Sequence, residues 1–250
     1  MLKKRLVGVV TVKNGWAVQS FGYKRYLPLG KPEILVENLD RWGVDEILLQ
    51  SIDRSIGNLG PDFELLERVA RKGIATPLIY GGGISSLAEG VNVIKAGADR
   101  IVIDALLRES QDVVISLSER LGAQALIAAL PLSLNNDQLE WLDYRTGKSD
   151  LITDQTSNLF DPSIISEMFI IDWRNEGQAN AFDTNLLLAK KLPKLPIIAF
   201  GGLNDNERIC WALEQSKVVA VALGNFLNYQ EHSVHIIKHS LGSRAPLRIL

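Results

Sequence analysis

Eight short apolar runs rich in β-branched residues, spaced by segments of helical period, constrain this chain more than any other feature. The runs are Leu6–Val12, Glu46–Ile52, Pro77–Tyr80, Arg100–Asp104, Ala125–Leu130, Met168–Asp172, Pro196–Phe200 and Val218–Leu223. Helical period falls on Pro32–Trp42, Asp62–Lys72, Ser86–Ala96, Gln111–Leu121, a short stretch at Asp161–Ile165, Asp183–Lys191, Asn204–Gln215 and Glu231–Leu241. A run that is apolar throughout reads as a strand covered on both faces, which is how parallel strands sit beneath helices. Eight strand–helix units in 250 residues predict an α/β chain folded as a (β/α)8 TIM barrel.

Boundary signals agree with this reading. Ser86 with Glu89 three residues on is a capping box, and Gly43 and Gly97 stand where a helix end wants a left-handed residue. No Pro, Gly or Ser linker divides the chain, so 1–250 is expected to form a single barrel domain. The least patterned stretch, 133–158, carries the turn chemistry of Asn135-Asn136-Asp137 and Thr146-Gly147-Lys148 and is expected to form a hairpin excursion. Two segments recur. Val44–Leu49 resembles Ile165–Ile170, and Thr76–Ile84 resembles Leu195–Leu203, with the Glu-to-Pro spacing 31 residues in one copy and 29 in the other. The barrel therefore reads as two half-barrel repeats of four units each.

Composition removes several functions. The chain has 27 Lys+Arg against 29 Asp+Glu and no basic run, so nucleic acid and an acidic membrane are not expected partners. One cysteine, Cys210, excludes internal disulfides and a Cys-rich zinc site and fits a reducing, cytoplasmic location. The first apolar run is too short for a signal peptide or a membrane span. His232, His235 and His239 recur at helical spacing and read as a solvated helix face, so no metal and no cofactor is expected. The five tryptophans, Trp16, Trp42, Trp141, Trp173 and Trp211, read as packing residues.

The chemistry-bearing feature is a pair of glycine clusters. Gly81-Gly82-Gly83 and Gly201-Gly202 follow the third and seventh runs, and Asp104-Ala105 and Gly224-Asn225 follow the fourth and eighth. Glycine lets backbone N–H groups approach an anion closely, and in barrels phosphate often lies between the last two strand–helix loops. Gly82, Gly83, Asp104 and Ala105 in one half, and Gly201, Gly202, Gly224 and Asn225 in the other, are therefore candidate phosphate-binding residues for a phosphorylated small-molecule ligand. Alternatively, the glycines simply permit tight turns. Asp104 would repel a phosphate unless it points away.

The opening Met1–Arg5, Val12-Lys13-Asn14-Gly15, Gly43–Glu46, Tyr80–Ile84, Ala96–Arg100, Leu195–Ala199 and Gly201-Gly202 together resemble the cyclase subunit of imidazole glycerol phosphate synthase, nearly end to end. The resemblance implies a barrel of half-barrel origin, a twice-phosphorylated histidine-pathway substrate, and a glutaminase subunit docked at the strand N-termini that supplies ammonia. It further implies that Arg5, Glu46, Arg100 and Glu167 form a charged gate to an axial ammonia passage, and that Asp99 meets a lysine of the glutaminase.

The departures lie at the other end. The family's two catalytic aspartates fall here on Thr11 and on Leu130 or Pro131, a substrate-contacting lysine on Gln19, and an acid of the second strand on Ser51, with Asp53 two residues on. Cyclisation needs an acid and a base on opposite sides of the substrate, and neither expected carboxylate is present. The catalytic residues are thus unknown. Tyr26–Pro32 and Gly224–Leu227 loosely resemble a branch serving amidino-sugar formation for surface polysaccharides beside a separate sugar amidotransferase. Two further readings stay open: a cyclase whose acids have moved to Asp53 and Glu176, and a non-catalytic partner.

Overall fold

The computed structural model describes residues 3–153, 156, 159–242, 245, 247 and 248. Eight parallel strands close on themselves: β1 (Arg5–Lys13), β4 (Glu46–Ser51), β5 (Leu78–Gly81), β6 (Arg100–Ile103), β7 (Leu126–Asn135), β10 (Glu167–Asp172), β11 (Ile197–Phe200) and β12 (Val218–Leu223), with β12 pairing back onto β1. This is the (β/α)8 barrel. Alternate residues of each strand face opposite ways. Val7, Val9, Ile127, Ala129, Phe169 and Ile171 belong to a packed barrel interior, whereas Leu6, Val10, Leu126, Ala128, Leu130 and Ile170 belong to the layer against the helices.

The helices are α1 (Pro32–Arg41), α2 (Phe63–Ala70), α3 (Leu87–Lys95), α4 (Ala105–Glu109), α5 (Gln111–Leu121), α6 (Asn185–Leu188), α7 (Asn206–Glu214) and α8 (Ser233–Leu241). Side-chain oxygens start three of them. Asp62 accepts from Leu65 N at 3.0 Å, Ser86 from Glu89 N at 3.3 Å, and Asp205 from Arg208 N at 2.8 Å. Gly43 and Gly97 follow α1 and α3 with φ of 75° and 112°, which a side chain would strain.

Several elements differ from the sequence reading. Asp161–Ile165 is not a helix. Ile164 and Ile165 donate to Asp161 O at 2.9 Å, but the Asp161 carboxylate turns to Ser163 N instead of starting a further turn. The helix expected over Asp183–Lys191 shrinks to α6, and Trp16 is 55% exposed instead of packed. Two antiparallel strands, β2 (Trp16–Phe21) and β3 (Arg25–Gly30), stand where no element was predicted; their turn holds Gly22 and Tyr23 at φ of 61° and 52°. After the fifth barrel strand, β7 continues into antiparallel β8 (Gln138–Asp143) and β9 (Lys148–Leu151). Residues 154, 155, 157 and 158 of the proposed excursion, and Met1 and Leu2 of the opening motif, lie outside the described residues. No helix among the described residues is long and apolar enough to cross a membrane.

Candidate functional site

At the strand N-termini, β1, β4, β6 and β10 each begin with a charged residue, and the barrel brings all four together. Arg5 Nη1 lies 2.9 Å from Glu46 and its Nη2 2.7 Å from Glu167, while Arg100 Nη1 lies 3.4 Å from Glu46 and 2.9 Å from Glu167. The result is a closed ring of alternating charge across the barrel axis, its side chains only 9–15% exposed. Burial raises the Glu46 carboxyl, against the pull of Arg5 and Arg100. Burial also works against the Arg5 charge, but Glu46 and Glu167 hold its pKa up. Asp99, exposed at the same end, accepts Leu78 N at 2.8 Å through one oxygen.

At the strand C-termini the mouth divides into two cavities. The larger, about 420 Å³, belongs to the first half and is lined by Lys13, Ser51, Asp53, Gly82, Gly83, Asp104, Ala105, Pro131 and three tyrosines, Tyr23, Tyr26 and Tyr144. The smaller, about 80 Å³, belongs to the second half and is lined by Gly201, Gly202, Gly224 and Asn225 among others. Thus the eight glycine-cluster residues sort by half, four to each cavity. Between the cavities the β2–β3 hairpin lies across the mouth. Tyr23 packs onto the barrel interior and donates to Gln50 Oε1 at 3.3 Å.

The glycines are demanded by neighbouring loops. A Cβ on Gly82 would collide with Ser51 O, and one on Gly201 would sit 2.6 Å from Asp172 O. Both take positive φ, 135° and 107°. Two polar groups of the clusters are also occupied. Gly83 N donates to Ser55 Oγ at 3.0 Å, and Asn225 grips the hairpin, donating to Ser20 O at 2.6 Å and accepting Ser20 N at 3.1 Å.

The candidate acids separate by role. Asp172, 1% exposed, accepts Asn175 Nδ2 and Asp183 N at 2.8 and 2.7 Å and so braces its own loop. Glu176, 2% exposed, accepts Ser20 Oγ at 2.9 Å and Tyr23 N at 3.2 Å, clamping the hairpin. Asp53 lines the large cavity and accepts Asn14 N at 2.6 Å. Asp104 also lines it, and its carboxylate accepts no hydrogen bond among the described residues. Burial pushes the Asp104 carboxyl up to about 7, against the pull of Arg108. Tyr144 is pushed to about 12 by burial and then by Asp104. A carboxyl near neutrality can exchange protons at working pH. Its signal in the sequence was only an acid after the fourth strand, where the second half has Gly224.

Strand register settles which residue of the fifth strand faces inward. Leu130 packs toward the helices, and Pro131 lines the cavity. Of the aromatic side chains at the ends of the sixth and seventh strands, Phe200 stacks on Phe169 with ring centroids 5.3 Å apart, and Trp173 packs on the barrel interior. His235 and His239 are exposed on α8, whereas His232, exposed too, stands just before the helix at φ of 57° instead of sharing its face; no group of potential metal ligands occurs among the described residues.

A family model described as histidine biosynthesis protein matches residues 5–233. The chain is 28% identical over 255 residues to imidazole glycerol phosphate synthase subunit HisF of Exiguobacterium sp., covering 100% of this chain and 98% of that protein. It is 25% identical to the HisF subunit of Methanocaldococcus jannaschii over 275 residues, covering both chains fully at 100%, and 24% identical to that of Bacillus subtilis over 246 residues, covering 96% and 97%.

Proposed function

This chain belongs to the histidine biosynthesis protein family, and from that premise we propose that it is the barrel subunit of a glutamine amidotransferase-type synthase, docking a glutaminase subunit and passing ammonia onward without cyclase chemistry of its own. Its relatives are named as subunits of a synthase, which supports a partner. The single observation that carries the reading is the closed ring of Arg5, Glu46, Arg100 and Glu167 at the strand N-termini, in a chain with Thr11 and Pro131 at the two acid positions of the mouth. Above the ring the barrel is lined with apolar side chains such as Val7, Ala129 and Ala220. Such a lining admits neutral ammonia and rejects a bare ammonium ion, whose desolvation is costly.

In this reading the glutaminase sits over the ring with Asp99 at the rim of the contact, burying on the order of 1,600 Å² in total. The mouth holds a phosphorylated small molecule, with backbone N–H groups of the second half, at Gly201–Gly202 and Gly224–Asn225, as its candidate phosphate contacts. The ammonia serves amidination of a surface-polysaccharide sugar, completed by a separate sugar amidotransferase in the cytoplasm. The chain acts as a single domain over 1–250, with Leu142 and Tyr144 of the excursion lining the mouth.

The test is reconstitution with the glutaminase subunit of the same genome. Gel filtration should show a one-to-one complex, and glutamine hydrolysis should change severalfold when the barrel is added. Asp99→Arg should weaken the complex at least tenfold, and Arg5→Met should disturb ammonia delivery more than assembly. A glutaminase that neither binds nor responds to the barrel ends the reading.

A further inference from the structure

The two halves of the mouth are no longer alike. Asp104 follows β6 where Gly224 follows β12, so the repeat that would offer a bare backbone to an anion offers a carboxylate in the first half. Gly83 N, a donor a phosphate would need there, is already bonded to Ser55 Oγ. The neighbouring arginines are also committed. Arg54 is spent on the carbonyls of Leu59, Gly60 and Pro61, Arg108 pairs with Asp150 and stacks on Trp141, and Arg145 holds Asp143 and Glu109. The cation in the cavity wall, Lys13, lies 3.8 Å over the Tyr26 ring. Against that single cation stand two carboxylates, Asp53 and Asp104, the second with no hydrogen-bond donor of its own among the described residues. A cavity of about 420 Å³ with two acids and tyrosine rings suits a compact, hydroxylated cation.

We propose that the first-half cavity takes a protonated amine on a hydroxylated scaffold, bound by Asp104 with Asp53 at the rim of the same cavity, in the place where a twice-phosphorylated ligand would put its second phosphate. The inference rests on the proposed phosphorylated ligand only for the other end of that molecule, at Gly201–Gly202. A phosphate in the first half would face Asp104 at close range, and like charges in a shielded cavity repel strongly. An ammonium there draws the proton off Asp104 and gains a charge-assisted hydrogen bond.

Calorimetry on the full chain at pH 7 tests this with five probes: glucosamine 6-phosphate, glucose 6-phosphate, glucosamine, glucose and fructose 1,6-bisphosphate. Each amine should bind about tenfold more tightly than its hydroxyl twin, the size of one charge-assisted hydrogen bond. Asp104→Asn should bring that ratio within twofold and should tighten binding of the bisphosphate. Asp53→Asn, at the rim, should reduce the ratio in part, and it decides the matter if the first variant does not fold. If the amine preference holds while the 6-phosphate adds nothing, the phosphate reading fails and this inference stands. The inference is overturned by a bisphosphate that binds at least as tightly as glucosamine 6-phosphate, by equal binding of amine and hydroxyl twins, by a preference that both variants leave intact, or by no heat from any probe at millimolar concentration.

Discussion

Thr11 and Pro131 occupy equivalent places in the two halves of the barrel. Thr11 lies opposite Gln50 in the β1–β4 ladder, four residues beyond the pairing of Val7 with Glu46. Pro131 lies opposite Ile171 in the β7–β10 ladder, four residues beyond the pairing of Ile127 with Glu167. The same strand register thus carries both the charged residues at the bottom and the two uncharged ones at the mouth.

That pairing predicts no cyclase turnover. A threonine hydroxyl without an activating neighbour is no base near neutral pH, and proline has no side-chain proton. A placed general acid or base is worth roughly 10²–10⁴ in rate, and the proposed reading has neither at these two positions. Purified protein given the histidine-pathway intermediate and excess ammonium salt should form imidazole glycerol phosphate at least about 10⁴-fold below an ordinary rate of about 1 s⁻¹. Thr11→Asp alone should not rescue it, because Pro131, which lines the cavity, still supplies no proton from the other half. Turnover of order 1 s⁻¹ by the wild type would overturn the absence of cyclase chemistry.

The ring should respond as a unit. Arg5 bridges Glu46 and Glu167, so Arg5→Met leaves Arg100 alone to balance two carboxylates that are 9% and 15% exposed. Breaking a buried network from one side costs about 3–5 kcal/mol. Arg5→Met combined with Glu46→Leu leaves the Arg100–Glu167 pair, at 2.9 Å, and should recover most of the loss. Urea unfolding of the two variants measures both steps; equal stabilities would show that the ring is not coupled.

Glycines at the mouth and glycines in exposed turns should tolerate alanine differently. Gly201 takes φ of 107° with Asp172 O 2.6 Å from where a Cβ would stand, whereas Gly147 takes φ of 71° with nothing within 4 Å. Gly147→Ala carries only the left-handed backbone penalty, about 1–2 kcal/mol. Gly201→Ala adds a backbone collision and should cost more than about 3 kcal/mol or abolish folding. Thermal unfolding compares them, and equal losses would refute the close-approach argument.

The barrel was legible in the sequence because its strands are apolar on both faces and its helices carry punctuation at their ends. Continuous runs such as Leu6–Val10 and Ile197–Phe200 admit few other packings, and Ser86 and Gly97 mark where α3 starts and stops. The β2–β3 hairpin was not legible. Its residues, from Trp16 to Gly30, include Lys24, Arg25 and Pro28 and lack a clean alternation, because its order comes from distant partners. Glu176 and Asn225, 156 and 205 residues farther along the chain, hold Ser20 in place. The same non-local logic hid the roles of the acids. Nothing near Asp172 or Glu176 in sequence separates a loop brace from a proton donor, and only the packing places Asp104 against an enclosed cavity.

Asp104 should make the protein's stability fall as pH rises from about 4 to about 7. Its carboxyl ionises near 7 in the fold, against 3.8 for an ordinary aspartate, because burial outweighs the pull of Arg108 and Arg145, with Asp143 adding to the upward shift. Below about pH 4 the group is protonated in both the folded and the unfolded chain and contributes nothing. Between about 4 and 7 the unfolded chain loses its proton while the fold keeps it, so unfolding gains with each step of pH; above 7 both are ionised and the full penalty remains. Three pH units correspond to about 4 kcal/mol as a ceiling, and the cavity's contact with water brings the expected effect to about 1–3 kcal/mol. Asparagine has the same shape and no charge. Asp104→Asn should therefore match the wild type at pH 4 and exceed it in stability by about 1–3 kcal/mol at pH 8. Urea unfolding of both proteins across that range checks it. A difference that does not change with pH would mean that Asp104 ionises like an exposed carboxylate and that the cavity does not shield it.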